Sequence, residues 1–341
     1  MRTGLLFGGI DLTPPQMAEI ARQAELAGMD GIYCVEAYRN GLVPLAAIAA
    51  ATRRVAVGPY VLNAYFRTPL AAGLAGLDLD EIAAGRLVMA VGSGNAHITR
   101  HWLGERPVSP LGKMTDYVHI LRAVMRAAPG ERVVYHGEVH TIDWTQQVPR
   151  REGPGVPLYL AAIFPKMLRL AAAIADGVAL GAMTSPAYLA RTIRPALAES
   201  AASVGRAPGQ LGVKVCTMIA VNPDRRLAAA AARRAVAGVF AAHPHPYYEH
   251  MLREQGFAPQ LEACLGRLAA GDFDGAAAVI DDAVIDSAVV WGTPEDCAAR
   301  LAAYLGLADE VVMTDVGASA VPGDPTAGYR ALLEIARMLK V

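Results

Sequence analysis

Residues 62–67, "LNAYFR", end an apolar run with an amide, a phenol and a guanidinium before Pro69 restarts the chain. Two other runs end the same way. One leads into "EAYRN" (36–40), which opens on Glu36, and another into "GSGNAHITRHW" (92–102), which carries Ser93 and Asn95. Three further runs are followed by Gly8 and Gly9, by "IFPKM" (163–167) and by "DVGAS" (315–319). A carboxylate, amides and a hydroxyl set among small residues can orient a flat ligand, and the glycines let backbone approach it closely.

The same residues argue against several other chemistries. No Ser/His/Asp order can be assigned, and "GSG" is not a G-x-S-x-G elbow, because Gly94 and Asn95 follow the serine. There is no GxxxxGK[ST] phosphate loop, and "GSGN" lacks the third glycine of a dinucleotide fingerprint, with no clean helix expected after it. His136 and His140 fall across a predicted turn, and His243 and His245 in "HPHP" read as a helix-ending turn at a pocket rim, so no metal site is indicated. A cleft with few charges and no evident acid/base dyad suits a reaction whose reactivity comes from a bound cofactor.

Eight apolar runs would position these groups: 3–7, 31–35, 54–61, 86–91, 157–162, 177–181, 212–221 and 310–314. They lack in/out alternation, which suits parallel strands covered on both faces. Helical stretches separate them, such as "PPQMAEIARQAELAG" (14–28), with proline at its start and glycine after its end, and "TPEDCAARLAAYLG" (293–306), opened by a threonine cap. Eight such units predict an α/β fold, a (β/α)8 TIM barrel, as one domain over 1–341 with insertions after strands 4 and 7 at about 100–157 and 222–309. The first insertion contains "RVVYHGEVHTIDW", a predicted β-hairpin with "HG" at its turn; the second is mostly alanine-rich helix. In a barrel, active sites form at the C-terminal strand ends, where the polar groups above are clustered.

The chain has 341 residues, 54% hydrophobic and 18% charged, so it can bury a large core. With 31 basic against 32 acidic residues and no concentrated Lys/Arg run, it lacks the footprint of a nucleic-acid binder. No apolar run reaches the membrane-spanning length of about 20 residues, and the N-terminal apolar segment is too short for a signal peptide, so a cytoplasmic protein is expected. Cys34, Cys216, Cys264 and Cys297 are scattered and read as reduced core residues.

The run "VAVGPYVLNAYFRTPLAAGLAGLDLDEIAAGRLVMAVGSGN" (55–95) resembles the luciferase-like flavin and deazaflavin superfamily, which reads as apolar strand, N-x-Y-x-R-x-P, helix, L-D-E-x-x-x-G-R, strand, G-x-G. The resemblance extends over 24–38, 156–178 and 291–313, and "LNAYFRTP" with "PKMLRLAAAIADG" is most similar to the branch that uses coenzyme F420, such as methylene-tetrahydromethanopterin reductase. It implies hydride transfer between the deazaflavin and a small organic substrate. The alternative is an FMN-dependent luciferase-like monooxygenase, and a third reading is a non-catalytic cofactor-binding relative.

The resemblance further implies a non-prolyl cis peptide at Tyr60-Val61 behind the cofactor's middle ring. It matches Glu36 to an acidic residue beside the ring, Asn63 to a polar residue near the reactive carbon, and Gly92, Ser93, Gly94 and Asn95 to the cofactor's polar edge. Ala162, Ile163, Phe164 and Pro165 match the loop whose amides hold the phosphate; Gly8 and Leu62 complete the expected cofactor contacts. Glu36, Asn63, Tyr65 and Asn95 are the expected catalytic set, with Glu36 the first candidate acid and Tyr38, Tyr65 and His97 its alternatives. Ala37 stands where several relatives have histidine, Asn95 where some have a carboxylate, and Phe164 where glycine is common. A homodimer is implied, and Tyr247, Tyr248 and His250 are expected to roof the substrate pocket.

Overall fold

A computed structural model describes residues 1–8, 12–151, 153, 155–319, 321 and 323–340; Gly9, one of the two glycines after the first run, lies outside them. The strands are β1 (Arg2–Phe7), β2 (Gly31–Cys34), β3 (Ala56–Pro59), β4 (Leu62–Asn63), β5 (Met89–Gly92), β6 (Arg132–His136), β7 (Thr141–Thr145), β8 (Leu158–Ala161), β9 (Gly177–Leu180), β10 (Gly212–Val221), β11 (Val289–Gly292) and β12 (Glu310–Asp315). Parallel pairing runs β3-β2-β1-β12-β10-β9-β8-β5-β4, and a parallel bridge between Val57 and Leu87 joins β3 to the approach of β5. With β3 and β4 as the two halves of one barrel strand, this is the expected α/β barrel of eight parallel strands with helices outside.

Closure depends on close backbone approach. A Cβ at Gly58 would lie 1.8 Å from the Val88 carbonyl oxygen, so only glycine lets β3 meet the segment that enters β5. The outward faces of the strands meet amphipathic helices. Pro14–Leu26, for example, buries Met17, Ile20, Ala21 and Ala24, and Pro69–Ile82 starts with Thr68 accepting the Ala71 N–H at 3.2 Å.

The barrel interior is filled at its N-terminal end by a polar cluster. Lys214 donates to Glu310 at 2.5 Å and to the Tyr33 hydroxyl at 2.6 Å, and Tyr33 donates to the other Glu310 oxygen at 2.9 Å. The Lys214 ammonium also lies 4.8 Å from the Tyr33 ring centroid and 4.9 Å from that of Tyr159. Burial lowers the pKa of Lys214 and Glu310 opposes that shift. One layer further along, the inward residues shrink to Leu6, Ala90, Ala179 and Cys216.

The two interruptions each contain a regular barrel helix. Between β5 and β8, Pro110–Arg126 packs on Pro69–Ile82 and Pro165–Ile174, and the β6–β7 hairpin comes after it with Gly137 to His140 as its turn. Contrary to expectation, a short helix, Ala96–His101, does come after "GSGN", because Asn95 caps it. After β10 come five helices, Arg225–Ala241, Pro246–Glu254, Ala258–Ala269, Phe273–Ala278 and Asp282–Ala288, around a second apolar core that includes Val236, Phe240, Leu261 and Ile285. Strand β11 then pairs with Met218–Val221 of β10, beyond the stretch of β10 that pairs with β9, and Pro294–Ala302 returns to the barrel wall. Strand β11 is absent from the eight apolar runs: "VVWG" is only four residues long and falls within the expected insertion. The four cysteines are free and buried. Among the described residues no helix is long and apolar enough to cross a membrane.

This packing makes two substitutions informative. Glu310→Ala, which strands a buried ammonium, should lower unfolding free energy by about 3–5 kcal/mol, while the double change Lys214→Met with Glu310→Leu should lose distinctly less; denaturant unfolding of the three chains measures both. Gly58→Ala should reduce the yield of folded protein or its Tm, while the same change at the exposed helical Gly266, where nothing lies within 4 Å of the added carbon, should preserve the barrel.

Candidate active site

At the C-terminal strand ends lies a cavity of about 450 Å³, within the range of small-molecule sites. Its floor is the layer of small inward residues: Leu6 from β1, Ala179 from β9 and Cys216 from β10. One wall is formed by Tyr60, Val61, Gly92 and Ala161. The Tyr60-Val61 peptide is cis, as the resemblance implied. A Cβ on Gly92 would lie 3.0 Å from Val61 Cγ2 and 3.1 Å from Ala161 Cβ, so glycine keeps this wall flat. Tyr60 anchors the wall by donating its hydroxyl to the carbonyls of Leu180 at 2.8 Å and Lys214 at 3.1 Å.

Glu36 is buried at the edge of this wall. Its carboxylate accepts from the Arg67 guanidinium at 2.5 Å, from the Asn63 backbone N–H at 3.0 Å and from the Gly41 N–H at 3.3 Å. It thus ties the loop after β2 to the loop after β4, and each of these partners donates to it. Asn63 turns its Oδ1 to the Tyr65 N–H at 3.0 Å.

The roof comes from the insertion after β10. Tyr247 donates its hydroxyl to the Gly94 carbonyl at 2.8 Å, and the Asn95 amide donates to the Pro244 carbonyl at 2.9 Å. The other end of the Asn95 amide accepts the His97 N–H at 2.8 Å, so this side chain joins helix cap and roof. His245, Tyr248 and Met251 complete the cover. Burial, and after it the neighbouring His243, holds the His245 imidazole down to about 4, while burial pushes the Cys216 thiol up to about 12 and raises Tyr247 and Tyr248. The described His, Cys, Asp and Glu side chains form no group of three that could hold a metal ion.

Of the residues expected at the site, the cavity lining brings together Glu36, Tyr60, Val61, Asn63 and the run Gly92, Ser93, Gly94 and Asn95. Ala162, Ile163 and Phe164 join them from the loop after β8. Four expected residues do not line it. Leu62 points into the core between barrel and helices, Gly8 is exposed at the end of β1, and Pro165 is exposed at the first position of its helix. Tyr65 is buried elsewhere, with Lys113 4.1 Å from its ring centroid and its hydroxyl accepting the Val108 N–H at 3.0 Å. Tyr38 is exposed against Trp102, and His97 lies tilted against His101 and stacked on His243 outside the lining. Tyr247 and Tyr248 do line the cavity, whereas His250 stands behind Phe164 at 4.7 Å between ring centroids. Sequence reasoning missed Cys216, Ala179 and Gly181 as lining residues, although the place of Ala179 and Gly181 at the end of β9 was a usable signal. It placed His245 in a helix-ending turn at the pocket rim, and the structure sets it in the cavity lining just before the helix Pro246–Glu254.

Comparison with known proteins agrees with this geometry. A family described as luciferase-like monooxygenase matches residues 7–310. The 5,10-methylenetetrahydromethanopterin reductase of Archaeoglobus fulgidus is 29% identical over 301 residues, covering 86% of this chain and 88% of its own. A putative coenzyme F420-dependent oxidoreductase of Mycobacterium tuberculosis is 28% identical over 320 residues, covering 89% and 92%. Among solved structures, the coenzyme F420 dependent tetrahydromethanopterin reductase of Methanopyrus kandleri superposes with a TM-score of 0.81 at 22% identity over 98% of this chain and 97% of its own, and thus shares the fold. Barrel, strand-end cavity and a family match spanning nearly the whole length lead to one conclusion: the chain belongs to the luciferase-like monooxygenase family.

Proposed function

We propose that this protein is a coenzyme F420-dependent oxidoreductase that transfers a hydride between the deazaflavin and a small organic substrate. The cavity carries this reading: it is flat-walled and apolar, and its polar groups are already engaged in fixing the wall and the roof. The curated relatives support it, since one is named as F420-dependent and another as a methylenetetrahydromethanopterin reductase along most of this chain. The FMN-dependent monooxygenase reading draws on the family's description and on more distant structural neighbours, such as a monooxygenase constituent of Pseudomonas putida in complex with FMN at a TM-score of 0.67.

The residues present fit the cofactor. The Val61–Gly92 wall offers a face without protruding side chains, and the helix Pro165–Ile174 points its N-terminus outward from Phe164 with no side chain capping it. Ala162 to Phe164 and that uncapped helix end would hold the phosphate, aided by the exposed Lys166. Bound there, the deazaflavin supplies a ring carbon that takes up or releases hydride.

The chain's own work is positioning. Tyr60 and Glu36 hold the wall, Asn63 fixes the turn beyond it, and the Tyr247 and Asn95 bonds close the roof and limit water. Glu36, facing three donors, acts as a positioning residue and an ion-pair partner rather than the acid. A single domain working as a cytoplasmic homodimer belongs to the same proposal.

Fluorescence titration against coenzyme F420 and FMN in parallel tests the reading: F420 should bind more tightly by at least about tenfold. Preference for FMN, with oxygen uptake by the reduced flavin complex, would replace it with the monooxygenase reading. Glu36→Gln should lower stability by about 3 kcal/mol, because the Arg67 charge is left buried without its counter-ion, and should weaken F420 binding. An F420 affinity and Tm unchanged in this variant would remove Glu36 from the positioning role.

A further inference from the structure

The end of the barrel opposite the strand-end cavity holds a second cavity, of about 280 Å³. It lies at the N-terminal strand ends, where Arg2 opens β1, Arg54 and Arg86 come shortly before β3 and β5, and Gly155 to Pro157 lead into β8. These arginines are far apart in the chain, and only the closed barrel brings the three guanidinium groups to one cavity. A fourth reaches the rim: the Arg126 Nε lies 3.6 Å from where a Cβ on Gly155 would stand.

The positive charge gathered here is not spent inside the protein. Among the described residues the Arg2 guanidinium makes no hydrogen bond or ion pair, and that of Arg54 makes one bond, to the Glu25 carbonyl at 3.1 Å. Arg86 is fixed by neutral acceptors, the carbonyls of Ala49, Thr52 and Val55 and the Thr52 hydroxyl, so its position is set while its charge has no carboxylate on it. The carboxylates that face these arginines are committed. Asp80, the acid in the cavity lining, pairs with Arg151 at 3.2 Å, and Glu25 accepts the backbone N–H groups of Arg53, Arg54 and Val55. Glu310 belongs to Lys214 and Tyr33, and Asp309 accepts the Val213 N–H at 2.7 Å. Arg2 also acts on Lys214 from below, adding to the burial that lowers the pKa of that ammonium. Like charges facing one small space repel one another until an anion joins them.

Guanidinium groups match the paired oxygens of an oxyanion, and several of them together favour an anion with more than one negative charge. The volume lies just below the lower limit of about 300 Å³ common for small-molecule sites, which suits a phosphoryl group with at most a small remainder. We propose that this cavity binds a small phosphoryl anion, inorganic or the end group of a phosphate ester, which joins the starts of β1, β3, β5 and β8. The N-terminal face of a barrel serves stability and not the reaction, so the anion stabilises closure where β3 meets the segment that enters β5. The site is independent of the cofactor reading.

The test uses the cofactor-free full chain and pyrophosphate, with sodium chloride of matched ionic strength as the blank. Calorimetry should find one site, and Tm should rise with pyrophosphate concentration. Arg2→Gln and Arg54→Gln should each weaken binding about tenfold through loss of a charge-assisted contact, whereas Lys166→Ala, at the other end of the barrel, should bind as the wild-type chain does. Without anion, Arg2→Gln should keep the wild-type Tm, because this guanidinium has no internal bond to lose. Orthophosphate and ribose 5-phosphate then separate the two sources: the tighter of them identifies the inorganic ion or the ester, and the site stands in both cases. No heat and no Tm shift beyond the chloride blank overturns the proposal. So does malonate binding as tightly as pyrophosphate, wild-type affinity in both arginine variants, loss of the site in Lys166→Ala, or a fall in the anion-free Tm of Arg2→Gln.

Discussion

The ion pair of Lys214 and Glu310 inside the barrel sets what can be built above it. Two opposite charges buried in an apolar cylinder persist only with close contact and further hydrogen bonds, which the Tyr33 hydroxyl provides at 2.6 Å and 2.9 Å. The cluster needs space, and β2 begins with glycine because a Cβ on Gly31 would meet Glu310 and Tyr33 within 2.6 Å. The bulk at the N-terminal end blocks the barrel, and the small residues of the next layers leave their volume empty. The cavity at the other end is what remains.

The wall of that cavity is held from both sides. From below, Tyr60 reaches the carbonyls of β9 and β10; from the edge, Glu36 gathers Arg67 and the Asn63 backbone. A buried carboxylate with three donors is a structural cross-link between the loop after β2 and the segment that begins with β4. The inserted helices provide the roof, and the turn that carries His245 is the turn to which Asn95 bonds.

The strands, the barrel and the neighbourhood of the site were legible in the sequence because parallel strands buried on both faces are continuous apolar runs, and the residues just beyond each run must lie at the same end of the barrel. The alternation of side chains also offered a reading of "VLN" that went unused: Leu62 faces the outer core while Val61 and Asn63 face the cavity. Strand β11 was harder, because four residues within an alanine-rich insertion become a strand only where the long β10 extends past its neighbour and offers free backbone.

The sequence by itself determined the barrel, its family and the loops that could hold a ligand, since these depend on local hydrophobic pattern and on chain order. Only the tertiary structure decided the contacts within the site. Glu36 and Arg67 are 31 residues apart, and Asn95 and Pro244 are 149 apart. Whether a carboxylate donates a proton or binds a guanidinium depends on which distant group folding brings within about 3 Å, and no local pattern encodes that distance.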